Sequence, residues 1–169
     1  DRFFFSTVSA DRRTVELWSS DGSDAGTERL AEASSGYDSS ADIEMLGEVG
    51  GTLFFGAVDA GRVELWSTDG TVDGTSRIKQ LSRALEYVEP VAVAGDTVFF
   101  SASGYEDDPM ELWASDGTAS GTTAVFETGG YEMYFDQETV VGEGLYFVSA
   151  DDGDPKLWRS DGTKAGTKR

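Results

Sequence analysis

The sequence predicts an all-β fold, a β-propeller built of four-stranded antiparallel blades, and three observations support this. A motif that begins with Leu-Trp and ends with Asp-Gly occurs four times, with its tryptophans 48, 47 and 45 residues apart. A period of this length is typical of stacked supersecondary units. Each period holds short apolar or β-branched stretches between turn residues, and no stretch shows helical apolar spacing. Four strands with one aromatic motif per period favour propeller blades over a barrel or a sandwich.

The second repeat shows the four strands most clearly. Gly50-Gly51 is typical of a two-residue hairpin, and Asp59-Ala60-Gly61 is a second turn. The stretches between these turns are rich in aromatic and β-branched residues, which favour strands. The predicted strands are Ile43 to Val49, Thr52 to Val58, Val63 to Ser67 and Ser76 to Leu81.

The third and fourth repeats follow the same order, whereas the first begins at its second strand. The predicted strands are Phe3 to Val8 in the first repeat, Pro90 to Ala94, Thr97 to Ala102, Met110 to Ala114 and Thr123 to Glu127 in the third, and Thr139 to Val141, Leu145 to Ala150 and Lys156 to Arg159 in the fourth.

We therefore divide one repeat domain, residues 1–169, into blades at about 1–33, 42–82, 89–128 and 138–169. Blade 1 lacks its first strand, and the last strand of blade 4 is incomplete. An open arc would expose sheet edges that a closed ring hides. We expect a segment of a larger propeller, with a ring of four blades as the alternative.

The tryptophans are expected to fill the space between blades. Strand side chains alternate, so Glu64 and Trp66 share one face of the sheet and Leu65 lies on the other. A tryptophan removes a large area from water, which suits the gap between splayed sheets. The alternative is a row of stacking platforms for sugars. The four residues are Trp18, Trp66, Trp113 and Trp158.

The Asp-Gly dipeptide is expected to close a turn between the third and fourth strands. An Asp carboxylate accepts hydrogen bonds from N–H groups two residues on, and Gly adopts the positive φ that such turns need. Four nearly identical turns favour a structural role over a ligand site. The dipeptides are Asp21-Gly22, Asp69-Gly70, Asp116-Gly117 and Asp161-Gly162, each followed by a hydroxyl residue, two variable residues and Gly-Thr.

On these residues the chain resembles the ELWxxDGT repeat family. Repeats two and three match its unit fully, whereas repeat one has Ser23 for Thr and repeat four has Lys156 for Glu. The resemblance implies a propeller-like repeat domain in secreted or cell-surface bacterial proteins. The turn also resembles the Asp-box of sialidase-type propellers, which is structural there.

The charge of the chain limits its partners. The net charge is −19, from 32 acidic and 13 basic residues, and such a surface repels phosphate backbones and anionic membranes. We expect no nucleic-acid binding, and no run of eighteen apolar residues predicts membrane insertion. Cysteine is absent, which excludes disulfides and thiolate metal sites.

Variable loops opposite the Asp-Gly turns are the expected place for a ligand, because binding usually resides in loops on a rigid scaffold. Acidic loop residues are candidate Ca²⁺ ligands, since calcium prefers carboxylate and carbonyl oxygens, but they match no complete calcium-loop pattern. They are Asp151, Asp152 and Asp154, and more weakly Asp107 and Asp108. The candidate binding-face aromatics are Tyr37, Tyr87, Tyr105, Tyr131 and Tyr134.

The function that follows is a non-catalytic extracellular or cell-surface scaffold that binds a protein or a glycan, or assembles with further blades of its parent chain. The alternatives are a calcium-stabilised adhesin module and a propeller glycosidase or lyase. The chain has no His and no Cys, which removes the commonest general base and the thiol nucleophile. Paired-carboxylate chemistry stays open. We expect no cofactor, with Ca²⁺ as an open addition.

Overall fold

A computed structural model describes residues 2–35, 41–81, 85–104, 109–128, 136–151 and 154–169. In these ranges the chain is built of strands and turns, without a helix. The strands are β1 (Phe3–Val8), β2 (Thr14–Ser20), β3 (Glu28–Ser34), β4 (Asp42–Val49), β5 (Thr52–Asp59), β6 (Arg62–Thr68), β7 (Ser76–Gln80), β8 (Tyr87–Ala94), β9 (Thr97–Ser103), β10 (Glu111–Ser115), β11 (Thr123–Glu127), β12 (Asp136–Val141), β13 (Gly144–Asp151) and β14 (Asp154–Ser160).

The strands form four antiparallel sheets in which neighbours along the chain are neighbours in space. Sheet 1 is β1-β2-β3, sheet 2 is β4-β5-β6-β7, sheet 3 is β8-β9-β10-β11 and sheet 4 is β12-β13-β14. Beyond β14, Lys168 pairs with Arg159 through two backbone hydrogen bonds of 2.8 and 2.9 Å. The predicted all-β class of four antiparallel blades is confirmed.

Turn chemistry and bulges shape each sheet. Gly50 and Gly51 take φ values of +58° and +84° at the tip of the β4–β5 hairpin, a conformation open to glycine at little cost. The register shifts at the Leu-Trp step of β2, β6 and β10 alike. A bulge bends its strand and increases the local twist, and here it recurs at the same motif step in three sheets.

Strand β8 begins earlier than the sequence predicts. Pro90 is expected at its start, but it lies inside the strand, next to a register shift before Ala92. Proline lacks an N–H to donate, and β8 is an edge strand, where this lack is tolerated. The predicted boundary is therefore wrong by the three residues 87–89.

The sheets pack face against face. We call the face that carries the motif leucine the Leu face, and the face that carries the motif tryptophan the Trp face. Leu17 of sheet 1 clusters with Phe55 and Trp66 of sheet 2, and Leu65 of sheet 2 clusters with Trp113 of sheet 3. Leu112 of sheet 3 clusters with Phe147 and Trp158 of sheet 4. The Leu faces of sheets 1, 2 and 3 thus each cover the Trp face of the next sheet, as successive propeller blades do.

Candidate functional site

The Asp-Gly turns are held by the same hydrogen bonds in all four repeats. The Asp Oδ1 atom accepts the backbone N–H two residues on at 2.8–3.0 Å and the hydroxyl of that same residue at 2.7–2.8 Å. That hydroxyl oxygen then accepts the N–H of the second motif glycine at 2.9–3.0 Å. The carboxylate therefore organises its own loop.

The hydroxyls on either side close the loop against the strand. The hydroxyl before each Asp lies 2.7–2.8 Å from the hydroxyl of the motif's last Thr and accepts the N–H of the first glycine. The last Thr hydroxyl also donates a hydrogen bond of 2.6–2.7 Å to the backbone carbonyl four residues earlier in the loop. Every hydroxyl of the motif is thus used within the turn.

The backbone conformation and the packing of the turn explain why both motif positions are glycine. The first takes φ between +86° and +93° in the four turns, which L side chains rarely adopt. The second lies against the Asp carboxylate, where an added Cβ atom would lie 2.0–2.1 Å from Oδ1. The sequence predicts the first requirement, but the second is a contact that only the folded turn shows.

Hydrogen bonds within the turn favour the ionised form of the motif aspartates. The Thr71 hydroxyl and N–H lower the pKa of Asp69, and the equivalent groups act on Asp21 and Asp161. For Asp116 the Thr118 N–H is the larger cause, followed by its hydroxyl. A carboxylate whose pKa lies below its ordinary value is a poor general acid near neutral pH.

Each motif tryptophan lies on a phenylalanine of the preceding strand. The rings of Phe55 and Trp66 are stacked with centroids 6.1 Å apart, and the register places the two residues directly opposite each other. The pair recurs in every sheet, with centroids 6.1–6.4 Å apart and interplanar angles of 11–18°. Trp66, Trp113 and Trp158 therefore pack between and within blades, whereas Trp18 stacks on Phe5 and joins none of the three core clusters.

The motif glutamate accepts the indole N–H two residues on. Trp66 Nε1 donates to Glu64 at 3.2 Å, and Trp113 Nε1 donates to Glu111 at 2.9 Å. In sheet 1, Trp18 Nε1 donates to Glu16 at 3.3 Å and to Thr7 at 3.1 Å. Sequence reasoning missed this role, although the Glu-x-Trp spacing, which places both on one face, was the available signal.

Repeat four departs from this arrangement. Lys156 stands where the other repeats have Glu, and Trp158 Nε1 is buried without an acceptor among the described residues. The guanidinium of Arg169 lies over the Trp158 ring, 5.3 Å from its centroid.

An acidic cleft between sheets 2 and 3 is a candidate ligand site in the described part of the chain. It has a volume of about 390 Å³ and lies where the first strands, β4 and β8, run side by side. Burial raises the pKa of Glu44, and the charges of Asp42 and Glu89 raise it further. The cleft is lined by Asp42, Glu44, Tyr87, Val88, Glu89 and Pro90.

Tyr87 is a predicted binding-face residue that the structure brings to this cleft with its side chain exposed. Sequence reasoning did not select Asp42 or Glu44. Their spacing on one strand, matched by Tyr87 and Glu89 on the equivalent strand of the next blade, was the signal that could have found them.

Most of the other predicted ligand residues lie outside the described residues. They are Tyr37, Tyr105, Tyr131, Tyr134, Asp107, Asp108 and Asp152. Asp151 and Asp154 are paired by backbone register at the β13–β14 hairpin, and Asp154 is exposed. Within the described ranges, no three His, Cys, Asp or Glu residues form a group suited to a metal ion. The same ranges contain no helix of the length and hydropathy that a membrane span requires.

Comparison with known proteins shows the fold alone. No protein-family model matches the chain, and no curated protein matches it significantly. A solved structure from a structural and mechanistic analysis of two prolyl endopeptidases is similar at TM-score 0.50 and 19% identity, over 99% of this chain and 26% of that one. The crystal structure of a nidogen/laminin complex gives TM-score 0.48 and 14% identity, over 99% and 60%. The chain therefore spans about a quarter of the length of the first structure, and that likeness concerns its β architecture.

Proposed function

We propose that the chain is a non-catalytic β-propeller scaffold that mediates protein or glycan interaction, or assembly. The observation that carries this proposal is that the repeated polar side chains form hydrogen bonds within their own repeat. The motif Asp, Ser and Thr side chains bond within their own turns, and the motif Glu holds the indole of its neighbour. Residues that repeat with the blade thus support the blade, and recognition falls to residues that differ between repeats.

The acidic cleft is the proposed interaction site. Tyr87 offers an exposed aromatic ring, and three carboxylates line the same cleft. Aromatic side chains beside polar groups are typical of interface anchors. Negative charge in a cleft attracts cationic groups, so the partner we propose is a basic protein segment or an amine-bearing glycan.

Binding and turnover assays test the proposal together. Wild type is screened on a glycan array and on an array of basic peptides, beside Tyr87→Ala and the control Val72→Ala, which changes an exposed apolar residue of a turn. We expect binding that Tyr87→Ala weakens and Val72→Ala does not. Hydrolysis of a chromogenic glycoside, or eliminative cleavage of a glycan to an unsaturated product, by wild type would contradict the non-catalytic proposal.

The resemblance to the ELWxxDGT family supports a secreted or cell-surface bacterial location, which we propose on that ground. Detection of the protein at the surface of intact cells by an antibody against the chain tests it. Recovery only from the lysed, soluble fraction would contradict it.

Calcium stabilisation is a second candidate, favoured by the backbone pairing of Asp151 with Asp154 in a strongly acidic chain. Ca²⁺ bound only to the folded state would raise the melting temperature. We expect EDTA to lower that temperature and added Ca²⁺ to restore it. A melting temperature indifferent to both would remove this candidate.

A further inference from the structure

A cation from sheet 1 binds the Asp-Gly turn of repeat two. Arg2 Nη1 donates to the Gly70 carbonyl at 2.5 Å and to Ser19 Oγ at 2.7 Å. Ser19 Oγ donates to the same carbonyl at 2.7 Å. A charged donor makes a stronger hydrogen bond than a neutral one. The guanidinium therefore helps to hold the turn of one blade against the sheet before it.

A second cation joins sheet 2 to the turn of repeat three. Lys79 lies on the Leu face of sheet 2, because it pairs with Leu65 by register. Its Nζ atom donates to the Thr122 carbonyl at 2.6 Å and to the Ala119 carbonyl at 3.1 Å. In both junctions, backbone carbonyls of a turn accept a cation that the preceding sheet supplies.

A neutral residue takes the place of Arg2 at the junction of sheets 3 and 4. A Cβ atom added to Gly162 would lie 3.1 Å from Thr97, as one added to Gly70 would lie 3.2 Å from Arg2. Both residues directly precede the strand residue that pairs with the hydroxyl before the motif Asp. Thr97 therefore holds the same position relative to its turn.

A neutral residue also takes the place of Lys79. Phe126 pairs with Leu112 as Lys79 pairs with Leu65. Its ring lies edge-on to the Trp158 ring, with centroids 4.6 Å apart, so it packs between the two sheets. At these two places sheet 3 therefore offers no charged donor to the turn of repeat four.

A cleft of about 500 Å³ lies between the turns of repeats three and four, and we call it the inter-turn cleft. Thr97 and Gly162 line it, so it opens where the first junction holds its guanidinium. Asp116 and Asp161 also line it, and hydrogen bonds within each turn lower the pKa of both carboxyl groups. Lys164 is an exposed basic residue of the same lining. With two carboxylates and one ammonium group, the described lining attracts a cation.

We propose that the inter-turn cleft binds a lysine or arginine side chain of a partner protein. The partner's cation would donate to the carbonyls of Gly162 and Lys164, which hold the motif positions of Gly70 and Ala119. Within the chain, those two positions already accept a guanidinium and an ammonium group. The volume of the cleft lies in the range of small-ligand sites, which leaves room for the stem of a long side chain. The net charge of −19 also favours the approach of a basic partner.

Proton–nitrogen NMR titration with a lysine peptide tests the proposal. The probe is acetyl-Gly-Lys-Gly-amide from about 0.1 mM to about 20 mM, because one charge-assisted contact supports only millimolar affinity. We expect saturable shifts of the backbone amides of Ser120, Gly162 and Thr163, which line the cleft. The same peptide with norleucine in place of lysine lacks the charge, and it should cause no such shifts.

Two substitutions at Thr97 separate charge from volume. Thr97→Arg supplies from within the chain the guanidinium that Arg2 supplies at the first junction, so it should weaken peptide binding about tenfold or more. Thr97→Met adds a long neutral stem and should bind the peptide several times more tightly than Thr97→Arg. The Arg variant should also melt above the Met variant, because its guanidinium can reach the Gly162 carbonyl.

Lys164→Ala gives a second check that does not depend on filling the cleft. Its exposed side chain tolerates substitution, and removing its ammonium group makes the lining more negative. We therefore expect tighter binding of the lysine peptide. Arg62→Ala is the matched control, because it removes an exposed positive charge at a hairpin outside the lining.

Four results would overturn the proposal. They are equal shifts with the norleucine peptide, shifts without preference for the turn residues, wild-type affinity or an equal melting temperature of Thr97→Arg beside Thr97→Met, and binding by Lys164→Ala no tighter than by Arg62→Ala. Tighter binding of a glucosamine trimer than of the lysine peptide would also overturn it, because that result indicates an amine-bearing glycan. Circular dichroism checks that each variant is folded.

The inference goes beyond the proposed interaction at the acidic cleft, with which the inter-turn cleft shares no lining residue. Tyr87→Ala should leave the shifts at the turn residues unchanged. Shifts confined to residues 42–44 and 87–90 would support the acidic cleft and overturn the inter-turn site. Shifts at the turn residues support the inter-turn site whatever the arrays show for Tyr87→Ala.

Discussion

Replacing Lys156 with Glu or Gln should stabilise the protein, because repeat four lacks the acceptor that the other repeats supply to their tryptophan. Three repeats place a Glu carboxylate 2.9–3.3 Å from the indole nitrogen, whereas Trp158 Nε1 is buried without a described acceptor. A buried donor left unpaired costs about 1–3 kcal/mol. Lys156→Glu restores the motif, and Lys156→Gln supplies an acceptor without a negative charge.

The size of the effect follows from one hydrogen bond. Part of the gain is offset by ordering the new side chain, so we expect about 1.5 kcal/mol. For a chain of this size that corresponds to a rise in melting temperature of about 3–6 °C. Lys156→Glu should gain further from Arg169, whose guanidinium already lies over the Trp158 ring.

Thermal melting of Lys156→Gln and Lys156→Leu is the decisive assay. Both variants remove the ammonium group and its contacts, are neutral, and have side chains of similar size, so their difference isolates the acceptor. We expect the Gln variant to melt above the Leu variant by most of the predicted shift. Equal melting temperatures would refute the argument that the motif glutamate is there to satisfy the indole N–H.

Three further predictions concern the turns and the cleft. Gly121→Ala should lower the melting temperature by several degrees, because the new Cβ atom would lie 2.0 Å from Asp116 Oδ1. The loss should be smaller when Asp116 is also replaced by Ala. Equal losses with and without Asp116→Ala would contradict this. Asp116→Asn should lower the free energy of unfolding at pH 6. This difference from wild type should shrink as the pH falls below 3.8 and through the lowered pKa that Asp116 has in the folded state. Denaturant titrations that give the same difference at every pH would contradict this. Glu44→Gln should raise the free energy of unfolding at pH 7, because the raised pKa of Glu44 means that the fold disfavours its ionised form. This stabilisation should vanish below pH 4.5. Equal stabilisation by Glu48→Gln, an exposed control on the same strand, would show a general charge effect instead.

The repeat made the strands and turns predictable. The spacing of the motif located the third strand of each blade, and Gly50-Gly51 located a hairpin whose φ values match. The alternation of Glu64, Leu65 and Trp66 placed Leu65 and Trp66 on opposite faces, and the packing clusters agree. These features depend on local backbone geometry, which the sequence carries directly.

Contacts between distant residues were not predictable in the same way. The need for Gly74 depends on the position of the Asp69 carboxylate, five residues earlier, after the loop has closed. The cleft depends on two first strands that come from different repeats and approach only when the blades stack. Asp42 and Glu44 belong to no motif, and their one signal, the match with Tyr87 and Glu89, appears only when two different repeats are compared.

The stacking of a Leu face on the next Trp face is tested most directly by proton NMR at the first motif glycines. A Cβ atom added to Gly70 would lie 3.6 Å from the Phe4 ring, and one added to Gly117 would lie 3.3 Å from the Phe54 ring. A Cβ atom added to Gly22 would have nothing within 4 Å. We predict nuclear Overhauser contacts between these two ring–glycine pairs, and ring-current shifts of their α protons that Gly22 does not share. Absence of both contacts, with the three glycines alike, would contradict a stack of blades.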